Sequence, residues 1–218
     1  MNEFAKTSRN QVRRMPARGA YDRETIYPIL DEALICHVAF AVEGQPYVIP
    51  TIHARAGDVL YLHGAPASRL LKHIMQGHPL CITCTLLDGL VIARSVFHHS
   101  VNYRSAIVFG TGRQVTELQE KEQALALLTE HIARGRWDEA RQPNSRELAA
   151  TEVVAVQIES ASAKMRSGGP QDDDEDYDLP IWAGVLPLAL LPLIPQQDER
   201  QSFGVDLPAS IQNYSRGR

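Results

Sequence analysis

Cysteine is scarce in this chain, with three among 218 residues, too few to staple a domain of this length. Two of them form the run Cys81-Ile82-Thr83-Cys84, which invites a redox or zinc reading. That run lies in an apolar, strand-like stretch where residues three apart point to opposite faces, so buried structural thiols are expected instead. Glycine-rich phosphate loops are missing: neither Gly-x-x-x-x-Gly-Lys-Ser/Thr nor Gly-x-Gly-x-x-Gly occurs, which leaves P-loop and Rossmann chemistry unsupported. No Gly-x-Ser-x-Gly elbow points to a hydrolase. Long apolar runs are also absent. The most hydrophobic stretch, 181–194, is too short to span a bilayer and contains Pro187 and Pro192. Met1 to Arg18 has no apolar core of the signal-peptide kind, so a cytoplasmic protein without a membrane partner is expected. A net charge of -4 gives no basic surplus, which argues against a nucleic-acid partner. There are eight histidines, but the adjacent His98 and His99 diverge in extended chain, and no metal site is expected.

What is present suits one sizeable soluble domain, with 44% hydrophobic residues. Charge is uneven. Five Lys or Arg fall in the first 18 residues, and Gln171 to Asp178 is strongly acidic; a flexible basic arm over 1–18 and a solvated loop are expected. Asp22 suits the cap of a helix to about Leu34, with Ile26, Ile29 and Leu30 on one face. Strands are expected over 35–42, 47–55 and 59–63, with turns at Glu43-Gly44-Gln45 and Ala56-Gly57-Asp58. A helix is expected from Pro66 to about Gln76. Strands at 80–87 and 90–97 flank a turn at Asp88-Gly89, and a long strand runs from Tyr103 to Glu117. A helix then covers Leu118 to Arg134, and Asn144 or Ser145 caps a short one. Val153 to Glu159 reads as the last core strand, 181–191 as an edge strand, and 196–218 as a polar tail. Strands joined by hairpins disfavour a doubly wound parallel sheet. A mainly β, closed antiparallel barrel with peripheral helices fits better.

Two polar clusters stand at the ends of β-like runs. In His63-Gly64-Ala65-Pro66-Ala67-Ser68-Arg69, a strand runs into a helix whose first turn carries a hydroxyl and a guanidinium, an arrangement suited to a phosphate. In His98-His99-Ser100-Val101-Asn102-Tyr103-Arg104-Ser105, hydrogen-bonding side chains meet a strand suited to a flat ligand. Tyr103 and Ser105 share one face of it, and Arg104 points away. Together they read as a flavin mononucleotide (FMN) site.

The order Pro46-Tyr47-Val48-Ile49-Pro50-Thr51, then Leu60-Tyr61-Leu62-His63-Gly64, Ser68-Arg69, and Phe97-His98-His99-Ser100-x-Asn102-Tyr103-Arg104-Ser105 with Gly110 resembles the pyridoxamine 5'-phosphate oxidase-related, FMN-binding split-barrel family. The resemblance covers about Arg18 to Pro195 and is greatest to the nitroimidazole-reductase-like branch of flavin-nucleotide-binding proteins. It implies a six-stranded antiparallel Greek-key split β-barrel over 19–195, forming a homodimer with FMN at the subunit interface. It further implies that Val48, Ile49, Pro50 and Thr51 run along the flavin ring through their backbone. Ser68 and Arg69, helped by His63, would hold the phosphate, while Asn102, Tyr103, Ser105 and Trp182 would approach the ring.

Departures from the true oxidases are also visible. Leu70 stands where they follow Ser-Arg with Lys, Tyr47 and Ile52 replace basic residues, and their C-terminal Arg-Leu-x-Pro ending is missing. Pyridoxamine phosphate oxidation itself is therefore not assigned. The expected function is a flavin-dependent oxidoreductase exchanging a hydride at flavin N5 with a small molecule. His98 and His99 are the candidate proton donors. A non-catalytic flavin-binding or sensing protein and a haem-binding split barrel are the alternatives.

Overall fold

A two-residue strand, β1 (Gly19–Ala20), leads into α1 (Arg23–Glu32) in the computed structural model, which describes residues 2–201 and 204–215. Met1 of the basic arm, and Ser202, Phe203, Arg216, Gly217 and Arg218 of the polar tail, lie outside the described residues. Asp22 caps α1 by accepting the Thr25 N–H at 2.7 Å, and Ile26, Ile29 and Leu30 form its buried face. β2 (Ile35–Val42) and β3 (Gln45–Ile52) make a hairpin whose turn, Glu43-Gly44, has φ of 51° and 81°. Glycine takes the second position without strain.

β4 (Ala54–Ala56) and β5 (Val59–Gly64) form the next hairpin. The single strand expected over 47–55 is interrupted at the buried His53, whose ring lies 4.9 Å from that of His131. α2 (Arg69–Met75) begins later than Pro66 suggests, because the Ser68 hydroxyl supplies the cap by accepting the Leu71 N–H. β6 (Leu80–Ile92) runs straight through Asp88-Gly89, where the sequence suggests a turn. β7 (Ser100–Gly110) and β8 (Gly112–Gln114) replace the long strand over 103–117. At Gly110 a Cβ would come 1.9 Å from the Gln157 carbonyl oxygen, so only glycine permits that approach.

α3 (Leu118–Ile132), α4 (Arg136–Glu139) and α5 (Ser145–Ala150) follow, the last with a complete capping box between Asn144 and Glu147. β9 (Glu152–Gln157) is not the last core strand. β10 (Ser160–Arg166) comes after it and is buried along most of its length. β11 (Gly184–Pro187) and α6 (Ala209–Gln212) complete the elements. The fold class is as read from the sequence, mainly β with antiparallel pairs and peripheral helices, but with eleven strands among the described residues rather than six, and in open strand orders rather than a closed barrel.

By its internal contacts the chain divides into two compact units. Unit 1 takes Met1–Ala33, Thr83–Val108 and Ser160–Leu190; unit 2 takes Leu34–Ile82, Phe109–Glu159 and Leu191–Arg218. In unit 1 the strands are ordered β1-β10-β7-β6, with β11 antiparallel on β6. α1 lies against β10, and Ile26, Ile29 and Leu30 on the helix and Ala161 and Ala163 on the strand are all buried. The basic stretch expected to be flexible is packed here. Phe4 is buried with the Arg23 guanidinium 4.1 Å above its ring, and the buried Asn10 amide donates to the Ala161 carbonyl at 3.0 Å.

Unit 2 holds the β2–β3 hairpin and a four-stranded sheet ordered β4-β5-β9-β8. α3 covers one face of that sheet, with Ala124 and Leu125 on Tyr61, Val153 and Ala155. α2 covers the other, where Leu71 meets Gly64 and Ile74 meets Gly112. None of the three cysteines forms a disulfide among the described residues, and burial pushes the Cys36 thiol up to about 12. Cys81 and Cys84 point to opposite faces of β6. Among the described residues no helix is long and apolar enough to cross a membrane.

Candidate functional site

In unit 2 the start of α2 faces the β2–β3 hairpin across a cleft of about 680 Å³. Arg69, Lys72, His73 and His78 stand on its wall, with Glu43 as its acidic member. The α-helical period explains the cluster, since Arg69, Lys72 and His73 are three and four residues apart and share one face. The Arg69 guanidinium lies 4.4 Å from the centroid of the Tyr47 ring, a cation–π geometry. Tyr47 stacks on Phe40 at 5.5 Å, and Phe40 touches His73 at 4.8 Å. His73 Nε2 donates to the Pro79 carbonyl at 3.1 Å, which holds its ring in place. No carboxylate pairs with Arg69 or Lys72 among the described residues. The cleft therefore carries unmatched positive charge. Lys72 and His78 join it without a motif; only helical spacing from Arg69 gives a signal, and only for Lys72.

β3 brings Val48, Ile49, Pro50 and Thr51 to the end of a strand order, so its second edge is unpaired among the described residues. Val48 is 63% exposed. His63, expected to assist Ser68 and Arg69, is on the opposite face of the sheet from them. Residues alternate along β5: Gly64 faces Leu71 of α2, while His63 faces α3. There it lines a second cleft of about 350 Å³ with Leu125, Leu128, Ile132 and Trp137. Its Nδ1 is buried without a protein partner, and burial holds the imidazole below its usual pKa.

The remaining candidates fall in unit 1. Arg104 donates to Asp88 with Nε and Nη2, and to Glu32 with Nη1 and Nη2. These hydrogen bonds hold the guanidinium far above its ordinary pKa. Ser105 Oγ donates to the Lys164 carbonyl at 3.0 Å. Asn102 is buried and used structurally: its Nδ2 donates to the Gly168 carbonyl, and its Oδ1 accepts from Arg166. Tyr103 is half-buried on the other face of β7. His98 Nε2 contacts Asp173 Oδ2 at 3.3 Å, and His99 Nδ1 lies 3.1 Å from the Ser95 carbonyl. His99 thus engages its own loop, whereas His98 reaches across to the acidic stretch. The acidic stretch is tied to that loop, because Asp172 accepts the backbone N–H groups of Arg94 and Ser95. Trp182 is 68% exposed beside Gly184.

Residues 22–165 match the sequence profile of the pyridoxamine 5'-phosphate oxidase family. Among solved structures, the flavocytochrome Anf3 from Azotobacter vinelandii is 37% identical, with a TM-score of 0.90 over 97% of this chain and 98% of its own. The FAD and heme binding protein from Mycobacterium smegmatis is 35% identical, with a TM-score of 0.87 over 91% of this chain and 98% of its own. A putative 5-nitroimidazole antibiotic resistance protein from Bacteroides thetaiotaomicron is 24% identical, with a TM-score of 0.57 over 67% of this chain and 85% of its own, a likeness of fold alone. No curated protein sequence matches the chain significantly. The profile match across most of the chain makes this protein a member of the pyridoxamine 5'-phosphate oxidase family.

Proposed function

We propose that the chain binds a flavin nucleotide, with haem as a second group, and acts as an oxidoreductase on a small molecule. The observation that carries this reading is the near full-length likeness, above one third identity, to a flavocytochrome and to an FAD and heme binding protein. The unit 2 cleft fits a flavin phosphate, of FMN or of FAD, because Arg69 and Lys72 form no ion pair among the described residues and outnumber its one carboxylate, Glu43. Ser68 positions Arg69 by capping α2. The unpaired edge of β3 offers backbone donors and acceptors to a ring edge, with Pro50 contributing no N–H.

His63 fits haem better than phosphate. Its depressed basicity, and Leu125, Leu128, Ile132 and Trp137 beside it, would let a neutral His63 imidazole hold haem iron. When bound, the flavin supplies hydride exchange at N5 and the haem one-electron transfer. The protein works as a homodimer with flavin at the interface. Support comes from apolar side chains left in water, with Phe97 85% and Leu193 88% exposed.

The absorption spectrum of the purified protein tests the reading, together with the mass of its extracted ligands. Flavin bands and a haem Soret band are expected. His63→Ala should lose the Soret band and keep the flavin. A colourless protein that refuses both added flavin and added haem contradicts it.

A further inference from the structure

Unit 1 contains a pocket of its own, of about 520 Å³, on elements that the flavin reading leaves unused. Its wall includes Arg18 and Gly19, at the junction of a single 3-10 turn with β1, Arg166 at the end of β10, and Ser167 and Gln171 beyond it. Arg166 is more than nine-tenths buried. Its partners are all neutral: the Asn102 side-chain oxygen, the Gly168 carbonyl at 3.2 Å and the Gly169 carbonyl at 3.0 Å. These contacts fix the plane of the guanidinium but leave its charge unmatched. The other cation, Arg18, has no side-chain hydrogen bond or ion pair among the described residues. Both burial and the nearness of Arg18 depress the pKa of Arg166, as two cations facing one space require. The nearby acidic stretch does not relieve them, since Asp172 is turned onto Arg94 and Asp173 onto His98.

A buried cation without a counter-charge is costly, and a pocket that sets a partly exposed second cation, Arg18, beside the buried Arg166 is suited to an anion. A guanidinium offers a planar fork of donors, which matches phosphoryl oxygens. We infer that Arg18 and Arg166 form a binding site for a phosphate or diphosphate group, separate from the Arg69 cleft. Asn102 and the Gly168-Gly169 carbonyls are its positioning groups, because they orient Arg166 and do not reach toward the pocket as ligands.

Titration of pyrophosphate into the full-length protein carrying Arg69→Gln and Lys72→Gln, which removes both fixed cations of the first cleft, tests the site. Adding Arg18→Gln to that background should weaken pyrophosphate binding at least tenfold. Arg18 is partly exposed and caps no core, so its replacement leaves the fold intact, which an unchanged melting temperature without ligand checks. FAD and FMN titrated into the Arg18→Gln protein identify the source of the anion. Weakened FAD with unaltered FMN assigns the pocket to the dinucleotide's second phosphate; weakened pyrophosphate with both flavins unaltered assigns it to a free phosphate compound. Pyrophosphate that does not bind, or binds equally with and without Arg18, overturns the inference, whether or not the protein takes up flavin.

Discussion

Ser68-Arg69 in unit 2 and Arg104-Ser105 in unit 1 look alike on paper, and the structure gives them opposite fates. Arg104 is held between two carboxylates, Asp88 and Glu32, and Ser105 hydrogen-bonds a neighbouring strand. Arg69 lies over an aromatic ring at the mouth of a cleft, with no carboxylate on it among the described residues. An arginine whose charge is already matched stabilises its own unit; one whose charge is unmatched is available to a ligand. The same distinction within unit 1 separates Arg104 from Arg166.

The comparison breaks first at Arg104. Arg104→Leu leaves Asp88 and Glu32 facing each other without a cation, and partial exposure of all three moderates the loss. A destabilisation of about 2 kcal/mol is expected in urea unfolding, with flavin affinity unaltered once the protein is folded. Loss of flavin in the folded variant would erase the contrast with Arg69.

Ser68→Ala sharpens the other side. Removing the α2 cap should cost about 1 kcal/mol of stability and weaken flavin modestly by loosening Arg69; a flavin loss exceeding that of an Arg69 variant would make the hydroxyl a direct ligand.

The smallest effect is the pH dependence of His63. Its folded pKa lies below the usual value of about 6.5, so at mildly acidic pH the unfolded chain binds the extra proton. Stability without haem therefore falls as pH drops from the usual value toward the lower folded one. His63→Gln should flatten that slope in melting temperatures taken between about pH 5 and 7. An unchanged slope would remove His63 from its buried setting.

Local signals carry much of this fold. Asp22, Asn144 and the Glu43-Gly44 turn each act through neighbours three residues away or fewer, and each is where the sequence implies. The differences come from tertiary partners. Asp88-Gly89 reads as a tight turn, yet Asp88 is drawn into β6 by Arg104, 16 positions on, and Gly89 is paired with Pro187. β10 is hard to see because Ser160-Ala161-Ser162-Ala163 lacks the branched and aromatic residues of a typical strand; its burial comes from α1. For the site, Ser68 and Arg69 are legible as a helix start. The role of His63 is not, because which face of β5 is covered by α3 depends on residues some 60 positions away in the chain. The pairing of Arg18 with Arg166 bridges most of the chain, and no motif announces it.

Flavin retention by Arg69→Ala and Arg104→Leu, measured side by side on folded protein by equilibrium titration, tests the central claim most directly. The account predicts that Arg69→Ala weakens flavin binding by about 1.5–3 kcal/mol, roughly tenfold or more, while Arg104→Leu binds like the native protein. Equal affinity in both variants, or a loss confined to Arg104→Leu, would contradict it.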